Sequence, residues 1–299
     1  MPPRAKESQT AAQVWRIEGE GSEMRTDQLA TEEPLEIRLL WEDQRRTVAV
    51  TMRTPGADPE LAAGFLFTEG VVAERGRIRR VTHIFEPGET SSNVVEVELA
   101  DGPEPPLQSL DRHFFTSSAC GVCGKAGLEA LRVRVPGVVA PGPVVAPEVL
   151  RALPDRLREA QGLFEATGGL HAAGLFNAEG RLLAVREDVG RHNAVDKLIG
   201  WALSEDRLPL HGHLVMVSGR SSYEILQKCL VAGVPFVAAV SAPSSLAVEL
   251  AERFGVTLVG FLRGDRFNVY SGVERIAGMA PEVDRPARRR GEHLFPTIR

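Results

Sequence analysis

"HLVMVSGRSSYEILQKCLVAGVPFVAAVSA", residues 213–242, is the stretch that decides the fold class. Two apolar runs of strand length, "HLVMVSG" and "PFVAAVSA", flank the segment "SYEILQKCLVAG", which has helical spacing. Strands that are apolar along their whole length and alternate with helices are typical of a parallel sheet covered by helices. The sequence therefore predicts an α/β fold in this part of the chain.

The same alternation extends in both directions from this stretch. Towards the N-terminus, residues 147–169 have a helical pattern, residues 171–188 form a hairpin pattern, and residues 193–205 predict another helix. Towards the C-terminus, one more helix and strand follow. Repeated strand–helix units of this kind predict a mostly parallel sheet. We assign residues 146–278 to one C-terminal domain.

The residues before this domain have a different pattern. Residues 34–56, "PLEIRLLWEDQRRTVAVTMRTPG", predict two strands around the turn "WEDQ". Residues 58–70 predict a helix with Asp58 as N-cap and Gly70 as terminator. Overall the chain is therefore α+β, with a smaller, β-rich N-terminal part. We divide the remaining chain into a mobile leader at 1–28, an N-terminal α+β domain at 29–110, a cysteine loop and linker at 111–145, and an Arg-rich tail at 279–299.

Composition limits the possible partners and location. The chain has 299 residues and a formal net charge of −5, so no global charge points to nucleic acid or to an acidic membrane surface. Residues 1–12 lack the apolar core of a signal peptide, and no apolar run reaches membrane-spanning length. Three cysteines do not make a disulfide framework. We expect a cytoplasmic protein with reduced thiols.

Polar segments follow the predicted strands of the C-terminal domain. These are "EDVGRHNA" (187–194), "SGRSS" (218–222), "SAPSS" (241–245) and "FLRGDR" (261–266). In open parallel sheets, ligands bind beyond the carboxyl ends of the strands, and helix N-termini there offer free N–H groups to anions. The pattern predicts a phosphorylated ligand at this edge. The alternative is that the Ser and Gly residues only cap helices and form turns.

Two cysteines, Cys120 and Cys123, lie in "SSACGVCGK", residues 117–125. A structural zinc site needs four ligands, and only one Cys pair is present. A thioredoxin-type pair normally begins a helix after a strand, whereas this pair ends a Pro- and Ser-rich loop. Lys125 and the helix start after it favour thiolate formation. An accessible thiolate on a long loop suits a sulfur carrier, while the redox and metal alternatives stay open.

Six motifs together carry a resemblance to a known family. "SSACGVCGK", "TGGLHAAG", "EDVGRHNAVDKLIG", "SGRSSYEILQK", "SAPSSLAVELAE" and "TLVGFLRGDRFNVY" resemble, in order, the successive signatures of the FdhD family. Members of that family are sulfur carrier proteins required for formate dehydrogenase activity. The resemblance covers roughly residues 30 to 275.

The resemblance implies a sulfurtransferase. It would take persulfide sulfur from a cysteine desulfurase onto Cys120, with Cys123 assisting, and pass it to the molybdenum bis(molybdopterin guanine dinucleotide) cofactor for formate dehydrogenase. GDP would serve as an analogue of half of that cofactor. A homodimer and a C-terminal domain similar to the cytidine deaminases are also implied. The candidate ligand-binding residues are His171, Arg191, His192, Asn193, Gly219, Arg220, Ser221, Ser222, Ser244, Phe261, Leu262, Arg263, Gly264, Asp265 and Arg266.

Two alternatives compete with this interpretation. The protein could be a cofactor-binding chaperone whose cysteines are structural or hold a metal, or a thiol–disulfide oxidoreductase. The deaminases need a His-x-Glu zinc motif, but Ala173 stands where the glutamate would be after His171. We therefore expect neither deaminase chemistry nor a bound metal.

Overall fold

The computed structural model describes residues 7–85, 91–107 and 138–279. The two predicted catalytic cysteines, most of the predicted linker and the Arg-rich tail after residue 279 lie outside the described residues. The strands are β1 (Gln9–Glu18), β2 (Gly21–Ala30), β3 (Glu33–Trp41), β4 (Gln44–Arg53), β5 (Ile78–His83), β6 (Val94–Leu99), β7 (His171–Phe176), β8 (Leu182–Asp188), β9 (Leu214–Val217), β10 (Phe236–Ala239), β11 (Thr257–Arg263) and β12 (Arg266–Ser271). The helices are α1 (Asp58–Thr68), α2 (Pro147–Glu159), α3 (Gly162–Thr167), α4 (Arg191–Ser204), α5 (Tyr223–Val231) and α6 (Ser245–Phe254).

A six-stranded sheet in the order β12-β11-β10-β9-β7-β8 forms the C-terminal part. The α/β assignment is confirmed, but the sheet is mixed rather than mostly parallel. The pairs β9–β10 and β10–β11 are parallel, whereas β7–β8, β7–β9 and β11–β12 are antiparallel. The antiparallel pairs β7–β8 and β11–β12 arise from hairpins, because their short turns cannot make the crossover that a parallel pair needs.

Both faces of this sheet are buried, which explains the apolar strands. Alternate residues belong to two different cores: Leu214 and Met216 face one of them, and Val215 and Val217 face the other. Helix α2 packs on the first face. Helices α4, α5 and α6 cover the second face, whose core continues into the N-terminal sheet. The division into two domains stays a prediction, since the two parts share one continuous core.

The N-terminal sheet has the order β4-β3-β6-β5, and α1 lies between it and α4. The predicted strands on either side of "WEDQ" and the helix beginning at Asp58 are confirmed. The N-cap of α1 is Ala57, however, and its cap has no side-chain hydrogen bond. Asp58 is instead buried in a two-pronged ion pair with Arg53, with both N···O distances at 2.9 Å.

An antiparallel hairpin of β1 and β2 occupies residues 9–30, in place of the predicted mobile leader. The exposed side chains on this hairpin include Trp15, Ile17 and Met24. Neither of its faces is fully buried, so the sequence shows no alternation of apolar and polar residues that would have indicated strands. Strand β2 lies against α3.

Helices α1 and α4 cross at a pair of glycines. A methyl group on Gly200 would lie 1.8 Å from the carbonyl oxygen of Glu60, and one on Gly64 would lie 1.9 Å from that of Asp196. Real Cβ atoms do not approach so closely, so the crossing requires glycine on both helices. Because α1 also packs on the N-terminal sheet, this contact joins that sheet to the C-terminal part of the chain.

Two buried ion pairs reinforce the same junction. Lys197 of α4 lies 2.6 Å from Asp188 and donates to the carbonyl oxygen of Thr54 at the end of β4. Lys228 of α5 donates to both carboxylate oxygens of Asp196, and Thr68 of α1 donates to the same carboxylate. Because buried charges are costly unless they are paired, these contacts fix the relative positions of α1, α4 and α5.

We predict that Gly200→Ala destabilises the protein by about 1–3 kcal/mol or more, because the added methyl group overpacks the crossing. Intrinsic helix propensity alone would predict the opposite sign, a gain of up to about 1 kcal/mol. Urea denaturation measures the difference. Gly162→Ala is the matched control, since Gly162 is helical with no atom within 4 Å of the added group. Equal stability of the two variants would contradict the account of the crossing.

Candidate functional site

The four polar segments predicted from the sequence lie at one edge of the six-stranded sheet. Strands β8, β9, β10 and β11 run in the same direction, so their carboxyl ends share that edge. The antiparallel strand β7 begins there, with His171 paired to Asp188. Helices α4, α5 and α6 start at the same edge and direct their N-termini towards it. We call this edge, formed by residues 187–194, 218–222, 241–245, 261–266 and His171, the rim.

Hydrogen bonds join the segments of the rim into a continuous chain. Ala172 N donates to Ser218 Oγ over 2.8 Å. Ser244 N donates to the carbonyl oxygen of Ser221 over 3.0 Å, and Phe261 N donates to that of Ser241 over 3.1 Å. The rim is therefore one connected structure, and a ligand that contacts one loop is held in a fixed position relative to the others.

His171 lies against the second segment of the rim. A methyl group on Gly219 would lie 3.1 Å from His171 Nδ1, a tight contact, and 3.9 Å from the Arg191 side chain, an ordinary one, so glycine makes room for His171. Burial lowers the pKa of His171, the cation of Arg191 lowers it further, and Asp188 acts in the opposite direction. His171 is thus a neutral imidazole at neutral pH, suited to hydrogen bonding.

His192 links the first segment to the second. Its Nε2 lies 3.2 Å from Ser222 Oγ and 3.1 Å from Glu224 Oε2. Ser222 occupies the N-cap position of α5, yet its side chain does not cap that helix. The serine hydroxyl reaches across to α4 instead, which holds the starts of the two helices together.

Ser244 and Ser221, two other predicted site residues, differ in the hydrogen bonds that their hydroxyl groups make. Ser244 Oγ accepts a hydrogen bond from Ala247 N and is a plain N-cap of α6, as the alternative interpretation of "SAPSS" predicted. The side chain of Ser221 is completely buried, and its hydroxyl finds no partner among the described residues. Arg220, next to it, is exposed. This second segment therefore offers an exposed cation beside the start of α5.

Residues 261–266 are the end of β11 and the tight turn to β12. Phe261 adopts the left-handed region with φ of 53°, at a register shift between Gly260 and Arg263. Such backbone strain in a large residue occurs preferentially at functional sites. Leu262 is buried in the core, whereas Arg263, Gly264, Asp265 and Arg266 are exposed. The guanidinium of Arg263 lies 5.9 Å from the centre of the Phe261 ring.

Asn193, also predicted to bind ligand, is directed into the protein. Its amide nitrogen donates to the carbonyl oxygen of Met52 and to Asp188 Oδ1, and its oxygen accepts from Thr51. Together with Asp188 and Lys197 it attaches the first rim segment to β4. Much of the motif "EDVGRHNAVDK" is therefore structural, and Arg191 and His192 are its residues nearest the ligand edge.

Glu224, in the first turn of α5 beside the rim, is a residue that sequence reasoning missed. "SSYE" has the spacing of a capping box, with Ser221 and Glu224 three residues apart, and would be interpreted as a helix start. The N-cap of α5 has no such side-chain bond, and Glu224 pairs with His192 of another helix. Only the tertiary structure brings these two residues together.

The described ranges hold neither a cluster of metal ligands nor a membrane-spanning helix. Residues 7–85, 91–107 and 138–279 contain no group of three or more His, Cys, Asp or Glu side chains arranged to hold a metal ion. Within the same part of the chain, no helix has the length and apolar character required to span a bilayer. The predicted absence of metal stays a prediction, because Cys120 and Cys123 lie elsewhere.

A polar, hydrogen-bonded rim at three helix starts is typical of α/β proteins that bind ligands at a sheet edge. The sequence profile of the FdhD/NarQ family matches residues 30–277. The chain therefore belongs to the FdhD/NarQ family.

Individual relatives agree with this assignment. The chain is 53% identical over 261 residues to "Sulfur carrier protein FdhD" of Mycobacterium tuberculosis, covering 84% of this chain and 92% of that protein. It is 45% identical to the protein of the same name from Sulfurisphaera tokodaii, covering 88% and 97%. A crystal structure of a proposed formate dehydrogenase accessory protein from Desulfotalea psychrophila matches with a TM-score of 0.69 and 27% identity, covering 90% of this chain and all of that one. The likeness to cytidine deaminases stays a prediction.

We predict that the pKa of His171 lies below the ordinary histidine value of 6.5, because burial and the cation of Arg191 both disfavour the protonated ring. The unfolded chain then binds this proton first on acidification, so the contribution of His171 to stability is lost as pH falls below 6.5. Histidine NMR measures the midpoint. Arg191→Gln should raise this midpoint only part of the way to 6.5, since burial is the larger cause of the lowered pKa. A midpoint above 6.5 in the parent protein would contradict this description of the rim.

Proposed function

We propose that this protein is a sulfurtransferase that receives persulfide sulfur from a cysteine desulfurase and delivers it to a molybdenum bis(molybdopterin guanine dinucleotide) cofactor bound at the rim. The cofactor is cargo, required in its sulfurated form by formate dehydrogenase. The observation that carries the proposal is the continuous rim, with three helix N-termini and several arginines at one edge of the sheet. The names of its relatives, which are called sulfur carriers, support the sulfur chemistry.

The rim suits the diphosphate groups of such a cargo. Helix N-termini bind anions through free N–H groups, and arginine forks make charge-assisted bonds to phosphate oxygens. Arg220, Arg263 and Arg266 are exposed there, so they can reach a ligand without prior rearrangement of the core. Backbone groups and side chains thus offer donors at short range to the same anion.

The sulfur steps balance with the two thiols of "SSACGVCGK". The thiolate of Cys120 attacks the outer sulfur of the desulfurase persulfide, the S–S bond breaks, and the desulfurase leaves as a thiolate. When the cofactor is bound, the thiolate of Cys123 attacks the inner sulfur of the Cys120 persulfide. A disulfide between the two cysteines forms, and the outer sulfur leaves as hydrosulfide, at the oxidation level of a metal sulfur ligand. Two cellular thiol groups reduce this disulfide afterwards and are themselves oxidised to a disulfide.

The proposal extends to the partners and the place of action. A cysteine desulfurase supplies the sulfur, and formate dehydrogenase accepts the finished cofactor. We propose that the protein works in the cytoplasm as a homodimer, as the resemblance to the family implies.

Incubation with a desulfurase and cysteine should add one sulfur atom to the protein, because Cys120 accepts the persulfide. Intact-mass analysis detects the gain, and treatment with a thiol reductant removes it. Cys120→Ala should lose the gain and fail to activate formate dehydrogenase in cells, whereas Cys229→Ala should keep both, since Cys229 is buried. If Cys120→Ala still gained the sulfur atom and activated formate dehydrogenase, Cys120 would not be the persulfide carrier. Cofactor binding without sulfur gain in the parent protein would favour the chaperone alternative.

We predict that Arg220→Ala and Arg263→Ala each weaken GDP binding by about 1.5–3 kcal/mol, the range for hydrogen bonds to charged groups. This corresponds to roughly tenfold or more in the dissociation constant, and the effect should shrink at high salt. Calorimetric titration measures it. Arg181→Ala is the matched control, an exposed arginine next to the β7–β8 turn at the opposite edge of the sheet. Parent-like affinity in both rim variants would show that the phosphates bind elsewhere.

A further inference from the structure

Glu224 and His192 form an ion pair beneath the rim that no part of the proposed sulfur chemistry uses. Glu224 lies in the first turn of α5 and is 8% exposed. Its Oε2 is 3.1 Å from His192 Nε2, and Ser222 Oγ is 3.2 Å from the same nitrogen. A carboxylate at this distance favours a proton on that nitrogen. His192 itself stands in the first turn of α4, next to Arg191, and its side chain is 23% exposed.

The charges around this pair favour a second cation. Behind Glu224, the ammonium of Lys228 faces Asp196 at 2.8 Å and Glu69 at 3.6 Å. Burial opposes the charge of Lys228, but the carboxylates of Asp196, Glu69 and Glu224 outweigh burial and raise its pKa. These three carboxylates therefore favour positive charge on the groups beside them, as they do on Lys228.

The carboxylates of Glu224 and Glu69 also act on Tyr223. Burial, followed by the charges of Glu224 and Glu69, raises the pKa of Tyr223 to about 12. Burial and these two carboxylates together keep the phenol neutral. The carboxylates, unlike burial, also favour a proton on a neighbouring imidazole.

We propose that Glu224 is a positioning residue that holds His192 as an imidazolium at the start of α4, so that this histidine adds a pH-dependent positive charge to the rim. The ligand of that charge, a nucleoside diphosphate group, rests on the proposed function. The charge state of His192 does not depend on that function, since it is argued from the contact between His192 and Glu224. Protonated His192 strengthens anion binding, and the gain disappears as pH rises and the imidazole loses its proton.

Other charged groups near His192 act in known directions. Arg191 on the same helix disfavours the imidazolium, and so would a proton on His171 of β7. The carboxylate of Asp188, on β8, is occupied by Lys197. Glu224 of α5 is a carboxylate in direct contact with His192, so its replacement by the isosteric amide removes a favourable charge with little change in shape.

The test is the titration of His192 in the ligand-free, full-length protein, followed by NMR with labelled histidine. His192→Gln identifies the signal. The parent midpoint should lie above the ordinary value of about 6.5, and Glu224→Gln should lower it by about one pH unit. Glu252→Gln, an exposed carboxylate on α6, is the matched control and should leave it unchanged. A parent midpoint at or below about 6.5, or an unchanged midpoint in Glu224→Gln, overturns the proposal.

GDP titration adds a second readout. The ratio of the dissociation constants of variant and parent is compared at each pH, because ionisation of GDP itself affects both equally. Glu224→Gln should weaken binding several-fold near neutral pH and converge with the parent in alkaline solution, where His192 is neutral in both. A pH-independent ratio contradicts a role of this charge in binding. If the parent protein does not bind GDP, the cofactor placement fails, while the NMR titration still decides the charge state of His192.

Discussion

The glycine crossing of α1 and α4 is the contact on which the rest of the structure depends. Gly64 and Gly200 let the two helix backbones meet, and any side chain at either position would collide with main-chain atoms. The N-terminal sheet is thereby pressed onto α4, whose N-terminus forms part of the rim. The pairs Lys197–Asp188 and Lys228–Asp196 anchor neighbouring residues of α4 next to this contact. The start of α4, which forms part of the rim, is therefore held by contacts from both halves of the chain.

This arrangement explains why the motif "EDVGRHNAVDK" combines structural and ligand-facing residues. Asp188, Asn193 and Lys197 attach the first rim segment to β4, and their side chains are buried. Arg191 and His192, in the same helical turn, stand at the rim. The N-terminal sheet therefore fixes the position of these two residues, even though it contributes no strand to the six-stranded sheet.

Sequence patterns predicted helices and strands well where burial of the element gives its apolar residues a recognisable spacing. The apolar strands β9 and β10 and the helix α5 between them follow from such patterns, and so does their common polar edge. Three features did not follow. The β1–β2 hairpin has no buried face to produce an alternation, and the short turn at Gly264 makes β12 antiparallel. Glu224 resembles a helix-capping residue in sequence, and its partner His192 lies 32 residues away along the chain. Contacts of this kind depend on how the helices pack, which the local sequence does not encode.

The central claim is that the rim holds a guanine dinucleotide cofactor while the cysteine pair delivers sulfur to it. The most direct measurement is a single-turnover transfer with the protein loaded with radioactive sulfur, freed of desulfurase, and mixed with the isolated molybdenum cofactor. The account predicts that the label moves from protein to cofactor, and that Arg220→Ala slows the transfer at limiting cofactor while Arg181→Ala does not. Label that stays on the protein, or moves equally fast in both variants, would contradict it.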